Sequence, residues 1–178
     1  MRKKERRIKM KVGLALSGGG VRGAAHIGLI QALQEENIEI TSIAGTSIGA
    51  IVASLYAMGY TTQEMLKIFE YTAKELFRAD TKYLMDNVKQ KKGILGLGVW
   101  SGNSLEDAID ACARMKQKYH MQDIELPIRI PTVDIVSGEK YVSTNQPIQI
   151  DNEITDISIG KAVRASASYP RCICPLCI

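Results

Sequence analysis

Five residues, Gly45-Thr46-Ser47-Ile48-Gly49, carry the clearest chemistry in this chain. They follow the apolar run Ser42–Ala44 and lead into Ile51–Met58, so the pattern is strand, sharp turn, helix, with a serine at the apex. A nucleophile elbow has this layout. Gly45 and Gly49 remove side chains where the backbone reverses, and glycine tolerates the dihedral angles such a turn demands. Ser47 then stands at a helix N-terminus, where free N–H groups and the helix dipole favour negative charge. Acyl transfer runs through an oxyanion, so a serine so placed suits ester cleavage. Taken alone, Gly-x-Ser-x-Gly also fits a small-residue turn before a buried helix.

A second cluster, Ser17-Gly18-Gly19-Gly20-Val21-Arg22-Gly23, shifts the balance. Glycines 18, 19 and 20 before a helix offer backbone N–H donors that no side chain obstructs, as an oxyanion hole requires. Arg22 adds positive potential or holds the loop by hydrogen bonds; both roles remain open. His26 lies one turn into an apolar helix, where packing or hydrogen bonding suits it better than catalysis. His120 follows a helix amid polar residues and reads as a surface residue. The glycine loop also matches Gly-x-Gly-x-x-Gly, but the next strand ends Ile43-Ala44-Gly45-Thr46 without the acid a dinucleotide ribose requires. No Gly-Lys-Ser/Thr terminus is present either, so nucleotide binding is set aside.

These two loops need a frame. Val12–Leu16 reads as a buried strand, about 22–36 as a helix, and Ile38–Ala44 as a second strand. Strand–helix–strand of this length makes a βαβ unit with parallel strands. After the elbow helix, Gly59 is a stop, and Thr61-Thr62-Gln63-Glu64 forms a capping box for a helix from Thr62 to about Phe77. Met65, Leu66, Phe69 and Leu76 would face inward. Residues 78–100 read as an irregular, partly apolar loop that either packs on the domain or touches lipid. Asn103-Ser104-Leu105-Glu106 opens a helix to about Lys118. Pro127–Val136 reads as a strand, with a Ser137-Gly138 turn into Glu139–Ser143. A further helix spans Ile157–Ala167, before Pro170.

At 178 residues, 46% hydrophobic and 24% charged, the composition is that of one globular domain. No apolar run approaches the ~20 residues of a membrane span, and Val12–Leu16 is too short for a signal-peptide core, so a cytoplasmic location is expected. The net charge of +4 is unevenly spread. Residues 1–11 hold seven basic residues against Glu5, a net +6, and the rest carries −2. We therefore divide the chain into a basic tail, 1–11, and a domain, 12–178. Such a tail is attracted to anionic membrane surfaces, at about 1 kcal/mol per charge; a solvated leader is the plainer reading. No basic face continues into the domain, so nucleic acid is not an expected partner. Cys112 reads as a small buried hydrophobe.

Together the glycine loop through Gly28 and the Gly45–Ala50 segment resemble the bacterial patatin-like phospholipase family. Asp134–Gly138 and Lys161-Ala162-Val163-Arg164-Ala165-Ser166-Ala167-Ser168-Tyr169-Pro170 resemble its later segments. The likeness covers about Val12 to Pro170. It implies an α/β three-layer sandwich with a central, mainly parallel sheet. It also implies hydrolysis of lipid acyl esters by a Ser–Asp dyad. Ser47 matches the nucleophile and Gly18, Gly19 and Gly20 the oxyanion-hole loop, with Arg22, Gly23, Gly45 and Gly49 in support. A lipid or acyl-ester substrate is implied, and neither a metal nor an organic cofactor.

The family's catalytic aspartate precedes Gly-Gly or Gly-Ala, downstream of the Pro170 segment. No aspartate here precedes glycine, and Asp134 matches a different family position. The chain is therefore expected to stop before its base, with its C-terminal part missing, and to fold poorly and hydrolyse weakly on its own. The alternative is an inactive remnant that binds lipid or protein. After Tyr169-Pro170 the family continues Gly-Val-Phe, whereas this chain has Arg171-Cys172-Ile173-Cys174-Pro175. The codons NGG-TGT-ATT-TGT-CCC, read one base later, give Gly-Val-Phe-Val. A frameshift near codon 171 is thus expected, and DNA sequence that fails to continue in the shifted frame would refute it. As a metal site, Cys172-x-Cys174-x-x-Cys177 lacks a fourth ligand and a common zinc spacing.

Overall fold

A computed structural model describes residues 10–71, 98–100, 102–150, 152–169 and 171–176. Strand β1 (Lys11–Leu16) leads through a 3₁₀ turn (Gly20–Gly23) into α1 (Ala24–Glu35). Strand β2 (Glu39–Gly45) and helix α2 (Ile48–Ala57) follow, then α3, described over residues 62–71. Next come β3 (Gly98–Trp100), α4 (Asn103–Met115), a 3₁₀ turn (Met121–Asp123) and the hairpin β4 (Ile128–Val133) and β5 (Lys140–Thr144). The chain continues through β6 (Glu153–Ile154), α5 (Ile159–Ala167) and β7 (Arg171–Ile173).

Five strands form one sheet in the order β1-β2-β4-β5-β6. β1, β2 and β4 are parallel, β5 is antiparallel to β4, and β6 is parallel to β5. The fold is α/β with a mostly parallel sheet, as the sequence led us to expect. All three parallel strands therefore deliver their C-terminal ends to one edge, where the β1–α1 and β2–α2 loops meet.

Helix α2 is buried on nearly every side through Gly49, Ala50, Val52, Ala53, Ser54 and Leu55. It is apolar almost throughout because it lies among the sheet, the 3₁₀ turn and α5. Helix α4 buries only Leu105, Ile109, Cys112 and Ala113, a single stripe at helical spacing. With Ile27, Ile30, Ile128, Ile130, Ile159 and Val163 these residues make one continuous core. Each such aliphatic side chain contributes roughly 1.5–3 kcal/mol when fully buried. Cys112 lies in that core, as expected.

The Thr61 capping box forms on both sides: Thr61 N–H donates to Glu64 Oε2 at 2.7 Å, and Glu64 N–H donates to Thr61 Oγ1 at 3.2 Å. Several expectations need correction. Leu66 is 40% exposed, because the inward face carries Met65 and Phe69 and the next position turns out. Helix α4 opens at Asn103 itself, with Gly102 as its N-cap at φ 75, and Glu106 pairs with Arg164 of α5 at 2.8 Å. It ends at Met115 because Gln117 turns left-handed at φ 56. Strand β4 ends at Val133, where Asp134 starts the turn. Lys11, assigned to the tail, pairs with Glu39 in the β1–β2 ladder. Gly98–Trp100, read as loop, pairs in parallel with Arg171–Ile173. Residues 72–97, Leu76 among them, and tail residues 1–9 lie outside the described residues.

Candidate active site

Ser47 is the N-cap of α2, at φ 55 and ψ −120. A left-handed φ is unfavourable for a residue with a side chain, costing about 1–3 kcal/mol, and persists only where the surroundings impose it. Two glycines impose it here. A Cβ on Gly45 would overlap the carbonyl of Gly49, and one on Gly49 would stand 2.8 Å from Ser17 O, against the backbone leaving β1. β1, β2 and the start of α2 are thus in backbone contact, and the chain between them must bulge outward at Ser47. Thr46 N–H donates to Leu16 O at 3.0 Å and fixes the two loops together.

The glycine loop lies against the apex. An added Cβ at Gly18 would be 3.6 Å from Ser47 Cβ. Gly18, Gly19 and Gly20 are exposed, and the amides of Gly18 and Gly19 donate to nothing among the described residues. Gly20 is left-handed at φ 56, which lets the loop turn into the 3₁₀ segment. Gly23 has no room for a side chain, because Ile48 packs directly on it. Arg22 is exposed on the turn, its N–H donating to Gly19 O at 3.3 Å. His26 Nε2 lies 2.9 Å from Ser17 O, so it braces the loop, the hydrogen-bonding role its position suggested.

One residue of this site was not singled out by sequence. Ser166, in the last turn of α5, accepts a hydrogen bond from Ser47 N–H at 3.1 Å and donates one to Pro131 O at 2.7 Å. Its hydroxyl joins the apex to β4 and α5. The only sequence signal was the Ala-Ser-Ala-Ser-Tyr-Pro run, which named no role for it.

Asp134 serves its own turn, its Oδ1 accepting Val136 N–H at 2.7 Å and Ser137 N–H at 3.2 Å. His120 is exposed, as expected, 3.5 Å from Asp156. Burial, reinforced by Cys112, pushes Tyr60 up to about 12, and burial raises Asp110. A recess of about 290 Å³ over the middle of the sheet, lined by Gly13, Ala15, Ser42, Ala44 and Arg129 among others, includes none of these site residues.

A half-buried serine on a strained strand-to-helix turn, beside free glycine amides, is the arrangement expected of an acyl-transfer site. A family model described as patatin-like phospholipase matches residues 14–171. The chain belongs to the patatin-like phospholipase family. Its two glycine loops and the Ser166 segment all fall within that match. This patatin-like chain is 31% identical over 165 residues to an uncharacterized NTE family protein of Mycobacterium tuberculosis, covering 93% of this chain and 39% of that one. It is 28% identical over 166 residues to the neuropathy target esterase sws of Drosophila pseudoobscura pseudoobscura, covering 93% of this chain and 10% of that protein. In fold it is similar to ExoU, solved with SpcU from the type III secretion system of Pseudomonas aeruginosa. There the TM-score is 0.54 at 19% identity, over 91% of this chain and 38% of the solved one. The chain thus spans well under half the length of each of these relatives.

Proposed function

We propose that this chain carries the nucleophile and oxyanion hole of a lipid acyl-ester hydrolase. Ser47 Oγ attacks the ester carbonyl, and the amides of Gly18, Gly19 and Gly20 hold the oxyanion. Gly45 and Gly49 keep the turn tight, Gly23 seats the loop on Ile48, and Arg22 adds positive potential. The observation that carries this reading is the apex itself: Ser47 at φ 55 with Gly18 packed on its Cβ. A Ser–Asp dyad needs an aspartate to take the Ser47 proton, and we assign that part to a residue other than the 178 here. No metal or organic cofactor enters the scheme. The basic segment 1–11 assists by drawing the protein to anionic lipid.

Among the described residues, Asp134 is engaged in its own turn and His26 with Ser17 O, so neither stands in for the base. This favours weak turnover by the chain alone, on the order of 10⁴-fold below an intact dyad. It also keeps alive the second reading, a lipid-binding remnant without turnover. The test is reaction with a serine-directed fluorophosphonate, mapped by peptide mass, beside hydrolysis of a short water-soluble ester. Slow, Ser47-specific labelling and turnover lost in Ser47→Ala support the hydrolase. Turnover that survives Ser47→Ala refutes it.

A further inference from the structure

We propose that the tip of the β4–β5 hairpin is a lipid-surface anchor that seats the Ser47 site against aggregated substrate. Three aliphatic side chains crowd this tip without packing on the core: Val133 is 62% exposed, Ile135 54% and Val136 91%. Within one turn, that is more aliphatic surface in water than the fold explains.

The position of the tip relative to Ser47 follows from hydrogen bonds. Pro131 O of β4 is joined to Ser47 N–H through the single hydroxyl of Ser166. Pro131 is thus level with the apex, and β4 runs on past it in the direction of β2. A strand advances about 3.3 Å per residue, so the tip stands roughly 10 Å beyond the serine on the same end of the molecule. Tyr169, three residues after Ser166, is also at this end and 72% exposed.

Most backbone donors of the tip are bonded within it, the Ile135 N–H excepted. Asp134 Oδ1 accepts the N–H groups of Val136 and Ser137. Gly138 N–H donates to Asp134 O, Asp134 N–H to Glu139 O, and Glu139 N–H to Ser137 Oγ. Donors already bonded within the turn do not lose water partners when the turn enters an apolar layer. Glu139 and Lys140 lie at its base, where head groups would surround them, the Asp134 carboxylate is taken up by the Val136 and Ser137 N–H groups, and Tyr141 and Tyr169 suit the same interfacial level. A docked protein would also cover such a tip, but a lipid surface fits a site whose proposed substrate is itself in that surface. In that respect the inference rests on the hydrolase reading.

The test is co-sedimentation of the 178-residue chain with phosphatidylcholine vesicles, which carry no net charge for segment 1–11 to recognise. Ser47→Ala serves as the background, so binding is read without turnover. The double change Ile135→Asp, Val136→Asp should lower the partition coefficient at least about tenfold, and Val136→Trp should raise it several-fold. Thermal midpoints equal to the parent's show that both variants fold. Binding unchanged within twofold overturns the proposal, as does a parent chain that ignores these vesicles. Tip-dependent self-association on gel filtration, without vesicle binding, also overturns it. Tip-dependent binding with no Ser47-dependent hydrolysis of the soluble ester would instead sink the hydrolase reading and leave the anchor standing.

Discussion

The amide of Ser47 and the hydroxyl of Ser166 are 119 residues apart in sequence and 3.1 Å apart in space. The same hydroxyl donates to Pro131 O, so one side chain settles a strained turn, a strand and a helix end. Ser166→Ala removes the acceptor and strands a part-buried N–H, at a cost of about 1–3 kcal/mol. We expect a lower thermal midpoint and slower fluorophosphonate labelling of Ser47, both largely recovered by Ser166→Thr. Labelling that Ser166→Ala leaves unchanged would show that the apex holds its geometry without this bond.

Two glycines that look alike in sequence should respond in opposite ways. Gly49→Ala places a methyl within 2.8 Å of Ser17 O, against backbone atoms that cannot yield. Overpacking of this kind costs about 1–3 kcal/mol or more, so this variant should express poorly or melt well below the parent. Gly28 is exposed within α1, and nothing lies within 4 Å of its added Cβ. Gly28→Ala should stabilise by about 0.5–1 kcal/mol through lower unfolded-state entropy. Thermal denaturation of both decides it, and equal responses would contradict the close approach at Gly49.

Ser54 is fully buried in α2, and its Oγ has no hydrogen-bond partner among the described residues. Ser54→Ala removes that desolvated hydroxyl and raises helix propensity. A gain near 1 kcal/mol, about 2–4 °C at this chain length, is the expected result in a melting curve. A lower midpoint would mean that the hydroxyl is satisfied by an internal water.

What was legible in the sequence had a local steric cause. Gly45 and Gly49 flank the serine because any side chain there meets backbone, and that rule acts over a few residues. The Thr61–Glu64 box and the Ile27–Ile30 face are local in the same sense. The failures are long-range. Glu106 looked like a capping acid, but Arg164 of α5, distant in sequence, claims its carboxylate. Ser166 looked like any small helical residue until α5 was brought to the apex. β3 and β7 are three residues each, too short for periodicity to reveal, and each exists only through the other.

Asp110 offers a pH test of the α4–α5 contact. Its Oδ1 accepts Gly160 N–H at 2.8 Å, and Gly160 is closely packed there because a Cβ would overlap that carboxylate. Burial raises the Asp110 carboxyl above its ordinary value of 3.8, with the Gly160 N–H pulling the other way. An acid whose folded value is raised holds its proton more tightly when folded. Its contribution to stability is therefore present at low pH and lost as pH climbs from the unfolded value through the folded one. Asn at this position stays neutral and can still accept the Gly160 N–H. Glu64, lowered chiefly by the Thr61 N–H, and Asp123, lowered chiefly by the His120 N–H, behave oppositely, but they are common to both proteins. The stability of Asp110→Asn relative to the parent should therefore grow as pH rises from the ordinary carboxylate value of 3.8 and level off once the folded Asp110 carboxyl has ionised. Urea denaturation of both proteins across that range measures it; a difference constant with pH would mean that the Asp110 carboxylate is solvated well enough to escape the effect of burial.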